Sequence, residues 1–406
     1  HIVSAYHPTI AEVDAALHSA PVEAGFSPSP WEVITDVEIL KKEGVYDVHK
    51  MRTIQLMAAD FNMNNKRLGR TMMAHAESHK ALPKEQDGSR KGHKAVLCFL
   101  NKRLTTDISR QKRQAMALVC NDAEQCYDRM AHVPTILSML RLGMLLAPLL
   151  SMFLTLQNAV HHVSTAFGIS TTFYGGHLRT LLNLLPIAGI GQGNGGGPPS
   201  FAALSAVIIE VMRSQGYGAS LIYALSCLTL TFVCYMFVDD CDLIQTATTV
   251  DQGGEDLLPT VQAATDCWEG ALRASGGAIS PSKTFWYLID YVWTGTMWRY
   301  RSQQEMPGEL TVLDSSGTRQ TLTRHEADHA EKTLGIHMAI DGNSKGQIAY
   351  LTEKVTSFAA NIRAARNTIR NDVWVAVKTT IMKTLEYPMA ATTIGKAQWD
   401  TIMGKL

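Results

Sequence analysis

Two short acidic sites in this 406-residue sequence have side chains suited to binding a metal ion. In the segment 235–244, Asp239 and Asp240 lie between two apolar runs, a pattern that predicts a β-hairpin with carboxylates at its tip. Asp is a poor strand former and is costly to bury unpaired. The tip is therefore either a solvated turn or a cation site at which Mg²⁺ meets a phosphate.

A second candidate carboxylate follows another apolar segment upstream. The run 115–120 is long enough for one buried strand, and Asp122 comes directly after it, with Tyr127 five residues further along. Between the two acidic sites lies the glycine-rich loop 189–199. Its glycines are too irregularly spaced to predict a dinucleotide fingerprint or a Walker lysine loop.

The order of these features resembles the palm of a reverse transcriptase, in particular the non-LTR retrotransposon type. The matching features are an acid-ended strand followed by an aromatic residue, a Gln-Gly loop before a helix, and an aromatic-x-Asp-Asp hairpin. Further fragments occur in the expected order between about Val45 and Asp341. The segments 51–54 and 85–91 resemble the fingers motifs, and 276–284 and 334–336 resemble the two motifs after the catalytic hairpin.

The resemblance implies an α+β right-hand polymerase fold. This fold has fingers, a palm built on an antiparallel sheet with the acid-tipped hairpin, and a helical thumb. The expected domains are an N-terminal extension 1–47, fingers 48–114, a palm 115–343 in which 134–185 belongs partly to the fingers, and an incomplete thumb 344–406.

The resemblance also implies an activity, RNA-directed DNA polymerisation, in which dNTPs are added to a primer 3′ end. Asp122, Asp239 and Asp240 would hold two Mg²⁺ ions, for which Mn²⁺ could substitute. One ion would lower the pKa of the primer 3′-hydroxyl, and the other would neutralise the triphosphate and the leaving pyrophosphate. The implied partners are an RNA template, a DNA primer–template duplex and dNTPs.

Several other residues would contact the substrates, and some have a simpler structural explanation. Tyr127 would exclude a 2′-hydroxyl by its bulk, but it could also be a core tyrosine. Lys283 would approach the leaving pyrophosphate, although a surface lysine is the commoner explanation. In the fingers motifs, the implied substrate contacts are Arg52, Arg90 and Lys91, of which Lys91 could equally be incidental surface charge. Gln192 and Gly193 would lie in the loop that touches the nascent base pair.

A long helix is predicted over 347–370 from its apolar stripe. Arg363, Arg366 and Arg370 recur at i, i+3 and i+7, so they would share one face of that helix. Such a face suits a thumb helix that lies on a duplex backbone.

Charge is distributed unevenly although the formal net charge is zero. Basic residues outnumber acidic ones between Lys50 and Arg113, whereas the stretch from Asp239 to Glu269 contains no Lys or Arg. A basic lobe and an acidic site suit a protein that grips a polyanion with one part and holds a metal with another.

The cysteines and the termini suggest where the protein works. Seven cysteines without paired spacing favour reduced thiols in an intracellular protein, nuclear or cytoplasmic and not secreted. The uncharged run 218–238 is long enough to span a bilayer, but its polar breaks and its acidic end favour a helix end plus a buried strand, with no membrane contact. A start at His1 predicts a fragment of a longer polyprotein with further domains.

Two other functions stay open on the sequence alone. A viral-type RNA-dependent RNA polymerase shares the palm acids, but it must admit a 2′-hydroxyl, and Tyr127 argues against that. A catalytically decayed retroelement protein would only bind nucleic acid, and the presence of all three acids argues against decay.

Overall fold

The structure is a computed structural model that describes residues 7–41, 43–47, 51–176, 187–222, 228–249, 251–365 and 369–406. It is a mixed α/β protein that divides into two compact units, each assembled from separate stretches of the chain. The first unit comprises His1–Lys91, Ala123–Val211 and Trp268–Ile279, and the second unit comprises Gly92–Asp122, Met212–Cys267 and Ser280–Leu406.

Helices and strands follow one another along the whole described chain. The helices are α1 (Pro8–Ala24), α2 (Ala59–Ser78), α3 (Ala95–Lys112), α4 (Cys126–Arg129), α5 (His132–Arg141), α6 (Leu146–Asn158), α7 (Gly197–Ser214), α8 (Gly254–Ala274), α9 (Lys345–Ala364), α10 (Arg370–Ala376), α11 (Met382–Glu386) and α12 (Lys396–Met403), with a π-helical turn at Val377–Ile381 and 3₁₀ turns at Ser29–Trp31 and Tyr387–Ala391. The strands are β1 (Val33–Leu40), β2 (Met51–Leu56), β3 (Met116–Asn121), β4 (Val160–Thr165), β5 (Gly168–Ile169), β6 (Tyr174–Gly175), β7 (Ala219–Ile222), β8 (Thr229–Phe232), β9 (Cys234–Phe237), β10 (Asp240–Thr246), β11 (Phe285–Ile289), β12 (Tyr291–Trp293), β13 (Trp298–Tyr300), β14 (Thr311–Leu313), β15 (Arg319–Thr321), β16 (Thr323–His325), β17 (Ala330–Thr333) and β18 (Ile336–Ala339).

The first unit contains a sheet with strand order β2-β1-β4-β5, in which β6 also pairs with β4. β1 and β4 run parallel, and the other pairs are antiparallel. The segment 51–54, which resembles a fingers motif, lies in β2, and β2 forms one edge of this sheet.

The second unit contains a five-stranded sheet with order β16-β11-β3-β10-β9. β3 lies between β10 and β11, and all six of its residues are buried. A fully buried strand requires a continuous apolar run rather than alternation, and the sequence of β3 has such a run. The strand predicted before Asp122 is thereby confirmed.

One face of this sheet is covered by α3 and by the β17–β18 hairpin. Phe99 of α3 and Ile336 of β18 belong to the same buried cluster as Met116, Leu118 and Ile244 of the sheet. Burying each such side chain contributes about 1.5–3 kcal/mol. This packing fixes β3 and β10, the two strands that lead to the candidate carboxylates.

The helix predicted over 347–370 is shorter than expected. α9 ends at Ala364, and α10 begins at Arg370. The N–H of Ile369 donates to Asp372 Oδ2 at 3.3 Å, so an acidic side chain in the first turn satisfies one of the N–H groups that a helix start leaves unpaired. Asp372 therefore marks a new helix rather than the continuation of the old one.

This break corrects the expected arginine face. Arg363 lies in the last turn of α9 and Arg370 at the start of α10, so the two do not share the face of one helix. Arg366 lies outside the described residues. The predicted apolar stripe is present at Leu351 and Val355, which are buried in the same cluster as side chains of the following helices. It does not extend to Ile369, which precedes α10 and is exposed.

The uncharged run 218–238 forms β7, β8 and β9 where it is described, so the helix end predicted there is wrong for that part of it. Its residues 223–227 lie outside the described ranges. None of the helices within the described residues combines the length and the apolar character that a membrane crossing requires.

Candidate active site

The predicted acidic hairpin is confirmed as the β9–β10 hairpin. Phe237 pairs with Asp240, so the connection consists of Val238 and Asp239. Val238 has φ +60°, a conformation that a β-branched side chain rarely adopts and that hairpin turns normally assign to Gly, Asn or Asp. Backbone strain of this kind persists only where the surrounding structure fixes it, and it concentrates at functional sites.

Strand register brings Asp122 beside Asp240. β10 pairs antiparallel with β3, and the last pair of this ladder is Cys241 with Asn121. One residue beyond it, Asp240 stands opposite Asp122. Directly opposed residues in an antiparallel pair have Cβ atoms about 4.5–5.5 Å apart. Two acids that are distant in sequence therefore meet at one end of the buried sheet.

The carboxyl group of Asp240 has a raised pKa in this environment. Partial removal from water and the negative charges of Asp239, Asp242 and Asp122 raise its pKa to about 6, while the Lys102 ammonium opposes the shift. Carboxylates held close together disfavour one another's ionisation. Asp240 is nevertheless an exposed residue of β10, so a cation from solvent can reach the cluster.

Asp122 is held by the segment that carries Lys283. The N–H of Asp122 donates to Thr284 Oγ1 at 3.2 Å, and its carbonyl oxygen accepts the Ser280 N–H at 2.9 Å. Lys283 Nζ donates to Asp122 Oδ2 at 3.0 Å, although the lysine side chain is 65% exposed. The structure thus brings Lys283 to the acids, with a flexible head group bound to one of them.

This donor set fits a hard divalent cation. Mg²⁺ prefers carboxylate oxygens and usually binds through one or two carboxylates plus substrate phosphates. Asp122 already binds a cation, the Lys283 ammonium, and the carboxylates of Asp239, Asp242 and Asp122 add to burial in raising the pKa of Asp240. A metal bound here would relieve that repulsion.

Sequence reasoning missed a buried ion pair behind the acids. Lys102 Nζ lies 2.6 Å from Asp242 Oδ2 and donates to Thr333 Oγ1 at 2.8 Å. Burial lowers the pKa of Lys102, but the Asp242 carboxylate outweighs this, so the pKa is raised and the ammonium form persists. The sequence carried little signal for this pair, because the helical neighbours of Lys102 include the polar Thr105 and Thr106 as well as Phe99. The pair ties α3 and β17 to β10 two residues beyond Asp240.

In the first unit, the residues predicted to contact the nucleotide base and sugar lie together. The Tyr127 carbonyl accepts the Ile190 N–H at 2.8 Å, and the Tyr127 ring lies against Gly197 at the start of α7. The neighbouring Asp128 carboxylate accepts the backbone N–H of Gln192, which lowers a pKa that burial raises more strongly. Tyr127 is only partly buried, so it is not a fully enclosed core side chain.

Asparagines from α2 hold the glycine-rich loop. Asn62 Nδ2 donates to the Gly193 carbonyl at 2.9 Å, and Asn65 Nδ2 donates to Asn194 Oδ1 at 3.2 Å. Gly193 has φ +117°, and a Cβ there would lie 2.5 Å from the Gln55 carbonyl oxygen, so only glycine fits. Sequence reasoning missed these asparagines, whose clustering in a helix, where Asn is disfavoured, was the available signal.

The basic residues of the fingers motifs are in different environments. Arg90 forms an ion pair with Glu77, with Nη2 2.9 Å from Oε2, and Nη1 donates to the carbonyls of Pro83 and Gln86 at 3.0 Å. These bonds close the loop that carries it. Lys91 and Arg52 are exposed. A triphosphate contact by any of the three stays a prediction.

Comparison with known proteins adds little to the description of the candidate active site. No protein-family model and no curated protein matches the chain. Among solved structures it is similar to telomerase from Candida albicans in complex with the TWJ fragment of telomeric RNA (TM-score 0.44, 10% identity, 96% of this chain and 61% of that chain). It is also similar to apo telomerase from Candida tropicalis (TM-score 0.44, 11% identity, 93% of this chain and 61% of that chain). The chain thus spans less than two thirds of the length of these neighbours.

Proposed function

We propose that the protein is an RNA-directed DNA polymerase of the retrotransposon type, which adds dNTPs to a primer 3′ end. One observation carries the proposal: Asp122 and the Asp239–Asp240 turn meet at the end of one buried sheet, through the register of β3 and β10. Nucleotidyl transfer needs little covalent help from a protein, because positioning and charge stabilisation supply most of the catalysis.

Asp122, Asp239 and Asp240 are the residues that would hold Mg²⁺, with Mn²⁺ as a substitute. Magnesium bound there would supply charge neutralisation at the triphosphate and would lower the pKa of the attacking 3′-hydroxyl. The chain contributes rigidity, because Ser280 and Thr284 fix the backbone of Asp122. Asp122 and Asp240 lie at the end of a rigid sheet and Asp239 lies in a strained turn, so the three carboxylates would close onto the ion when it binds.

Lys283 would act as a mobile cation in this scheme. Its ammonium binds Asp122 in the structure, and its side chain is largely exposed. When a divalent ion occupies the carboxylates, electrostatic repulsion favours movement of the lysine head group to the phosphate oxygens. There it would neutralise the leaving pyrophosphate and donate a proton from Nζ.

The sugar of the incoming nucleotide would be selected by Tyr127. Its backbone is bonded to the loop before Gln192, and its ring rests on the start of α7, so the phenol ring is positioned from two sides. A ring held in this way excludes a 2′-hydroxyl by volume, which favours dNTPs over NTPs. Gln192 and Gly193, whose loop is bonded to α2, would lie against the nascent base pair.

The nucleic-acid partners would be an RNA template and a DNA primer–template duplex. Arg363 and Arg370 remain candidates for contacts with duplex phosphates, now from two successive helices. The chain would work inside the cell.

A primer-extension assay tests the function. The purified protein is given a DNA primer on an RNA template with Mg²⁺, and extension is compared with dNTPs, with NTPs and after chelation. We expect extension with dNTPs that chelation abolishes. Extension by NTPs in preference to dNTPs would favour an RNA polymerase. Tight primer–template binding without extension in Mg²⁺ or Mn²⁺ would favour a decayed, binding-only protein.

A further inference from the structure

A second group of metal-binding side chains lies in the second unit, at the connection between β16 and β17. The ligand atoms of His325, His329 and Glu331 all lie within 4.8 Å of one another. Among the described residues, no other group of three or more His, Cys, Asp and Glu side chains lies close enough together to share one ion. The proposed polymerase function makes no use of it.

The backbone builds this cluster through a tight turn. His325 ends β16, which pairs with β11, and the His329 N–H donates to the Glu326 carbonyl at 3.0 Å. The Tyr287 hydroxyl of β11 donates to the His329 carbonyl at 3.2 Å. Because side chains two residues apart near a strand lie on the same side, Glu331 follows His329 onto the same face. These contacts fix the backbone at His325 and His329, and the pairing of β17 with β18 fixes the backbone at Glu331.

The two distances from Glu331 to the histidines match those between ligands of a tetrahedral metal site. Glu331 Oε1 lies 3.5 Å from His325 Nε2 and 3.2 Å from His329 Nε2. Zinc bonds to nitrogen and oxygen of roughly 2.0–2.1 Å place two tetrahedral ligands about 3.3 Å apart. The imidazole rings are stacked, with centroids 4.1 Å apart and an interplanar angle of 17°, so they would rotate apart to direct both nitrogens at one ion.

The surroundings of the cluster allow an ion to enter. His325 and His329 line an open cleft of about 610 Å³, which Glu326 and Asp328 also line, together with the cationic Arg324 and Lys345. Two further carboxylates thus partly offset the local positive charge.

We propose that His325, His329 and Glu331 bind one Zn²⁺ ion, with the fourth position open to the cleft. Two imidazoles and a carboxylate are a ligand set that suits zinc better than magnesium or calcium, which prefer oxygen alone. The ion cross-links the end of β16, in the central sheet of the second unit, to β17. It thereby stabilises the β17–β18 hairpin, whose Thr333 accepts the hydrogen bond from Lys102.

Zinc binding to the intact, chelator-treated protein tests the proposal. Zn²⁺ is titrated in competition with a chromophoric chelator, and Co²⁺ is added separately to detect the visible absorption of a four-coordinate site. The variants are His329→Ala and Glu331→Gln. The matched control is His79→Ala, because the His79 ring also lies beside another imidazole, that of His75, with centroids 4.2 Å apart and planes tilted by 38°, but the pair belongs to no three-ligand group in the described chain.

We expect one equivalent of tightly bound zinc in the parent and the control, and a melting temperature that rises on its addition. Either site variant should lose this stoichiometric binding, and its melting temperature should not rise when zinc is added. In chelator, each variant should melt at the temperature of the metal-free parent. Absence of stoichiometric binding in the parent would overturn the proposal. Equal binding by parent and His329→Ala would also overturn it, since an ion pair of Glu331 with two histidines would then explain the cluster.

Discussion

Lys102 and Asp242 form a buried ion pair, with Nζ 2.6 Å from Oδ2 and with the lysine side chain 1% and the aspartate side chain 8% exposed. The two residues are 140 positions apart in sequence. Asp242 follows Asp240 on the same strand, and alternate residues of a strand face the same side. The pair therefore supports the candidate carboxylates from within the protein, as a positioning contact rather than a metal-binding one.

Lys102→Met should destabilise the protein strongly. The substitution leaves the Asp242 carboxylate buried without its cation, which costs about 3–5 kcal/mol in comparable sites. Urea denaturation measures the loss. The matched control is Lys383→Met, which removes the exposed pair with Glu386 at 3.2 Å and should cost less than about 1 kcal/mol. Equal effects of the two substitutions would show that Asp242 is not confined in a water-excluded site.

His132 should make the protein less stable in mild acid. Burial lowers the pKa of its ring below the ordinary value of 6.5, although a hydrogen bond to the Gly189 carbonyl opposes the shift. Gln157 Nε2 donates to Nδ1 at 3.1 Å, so that nitrogen accepts and the ring is neutral. The unfolded chain then binds more protons than the folded one, and stability is present above pH 6.5 and lost as the pH falls.

The test compares melting temperatures between pH 7.5 and pH 5.5 for the parent and His132→Gln. The variant has no proton to gain at this position, so its melting temperature should fall less with pH. The exposed His79→Gln serves as control and should follow the parent. If the variant has the same pH dependence as the parent, protonation of His132 does not cause the loss of stability in mild acid.

Tyr127→Ala should let the protein accept ribonucleotides. Removing the phenol ring opens a space larger than one hydroxyl, and exclusion by shape needs no hydrogen bond to replace. The quantity to measure is the ratio of kcat/KM for a dNTP over the matching NTP, since discrimination is a difference of two transition-state energies. We expect the ratio to fall in Tyr127→Ala and to be retained in Tyr127→Phe. An unchanged ratio in both would place the sugar gate elsewhere.

Joint replacement of Arg363 and Arg370 by Ala should weaken primer–template binding. Each lost phosphate contact reduces the dependence of log K on log salt concentration by roughly one unit of slope. Fluorescence anisotropy across a salt series measures both effects. The charge-matched control replaces Lys396 and Lys405, which lie in and after α12. If the arginine variant keeps the parental slope, these side chains do not contact nucleic acid.

Local patterns predicted the strands that carry the acids, because the sequences of β3 and of the β9–β10 hairpin contain apolar runs that end at carboxylates. The register that opposes Asp240 to Asp122 could be expected only through the family resemblance. For contacts across long separations, the sequence marks at most one unusual side chain and does not identify its partner. The Lys102–Asp242 pair and the bonds from Asn62 to the glycine-rich loop join segments more than a hundred residues apart.

The error in the C-terminal helix has a local cause. The apolar spacing from Ile362 to Ile369 equals two helical turns, so periodicity alone continues the helix through this segment. Asn371 and Asp372 carried the opposing signal, since short polar side chains favour the first turn of a new helix. This start signal predicts a second helix, so that Arg363 and Arg370 would lie on different helices.

Metal-dependent dNTP incorporation by Asp239→Asn tests the central claim most directly. The variant is nearly isosteric but lacks one carboxylate charge, and Asp400→Asn, an exposed site on α12, is the matched control. On a primed RNA template we predict that the control extends like the parent. Asp239→Asn should lose roughly a thousandfold or more in rate, about 4 kcal/mol of transition-state stabilisation, with its melting temperature retained. Near-normal incorporation by a folded Asp239→Asn would contradict the assignment of this carboxylate cluster as the catalytic site.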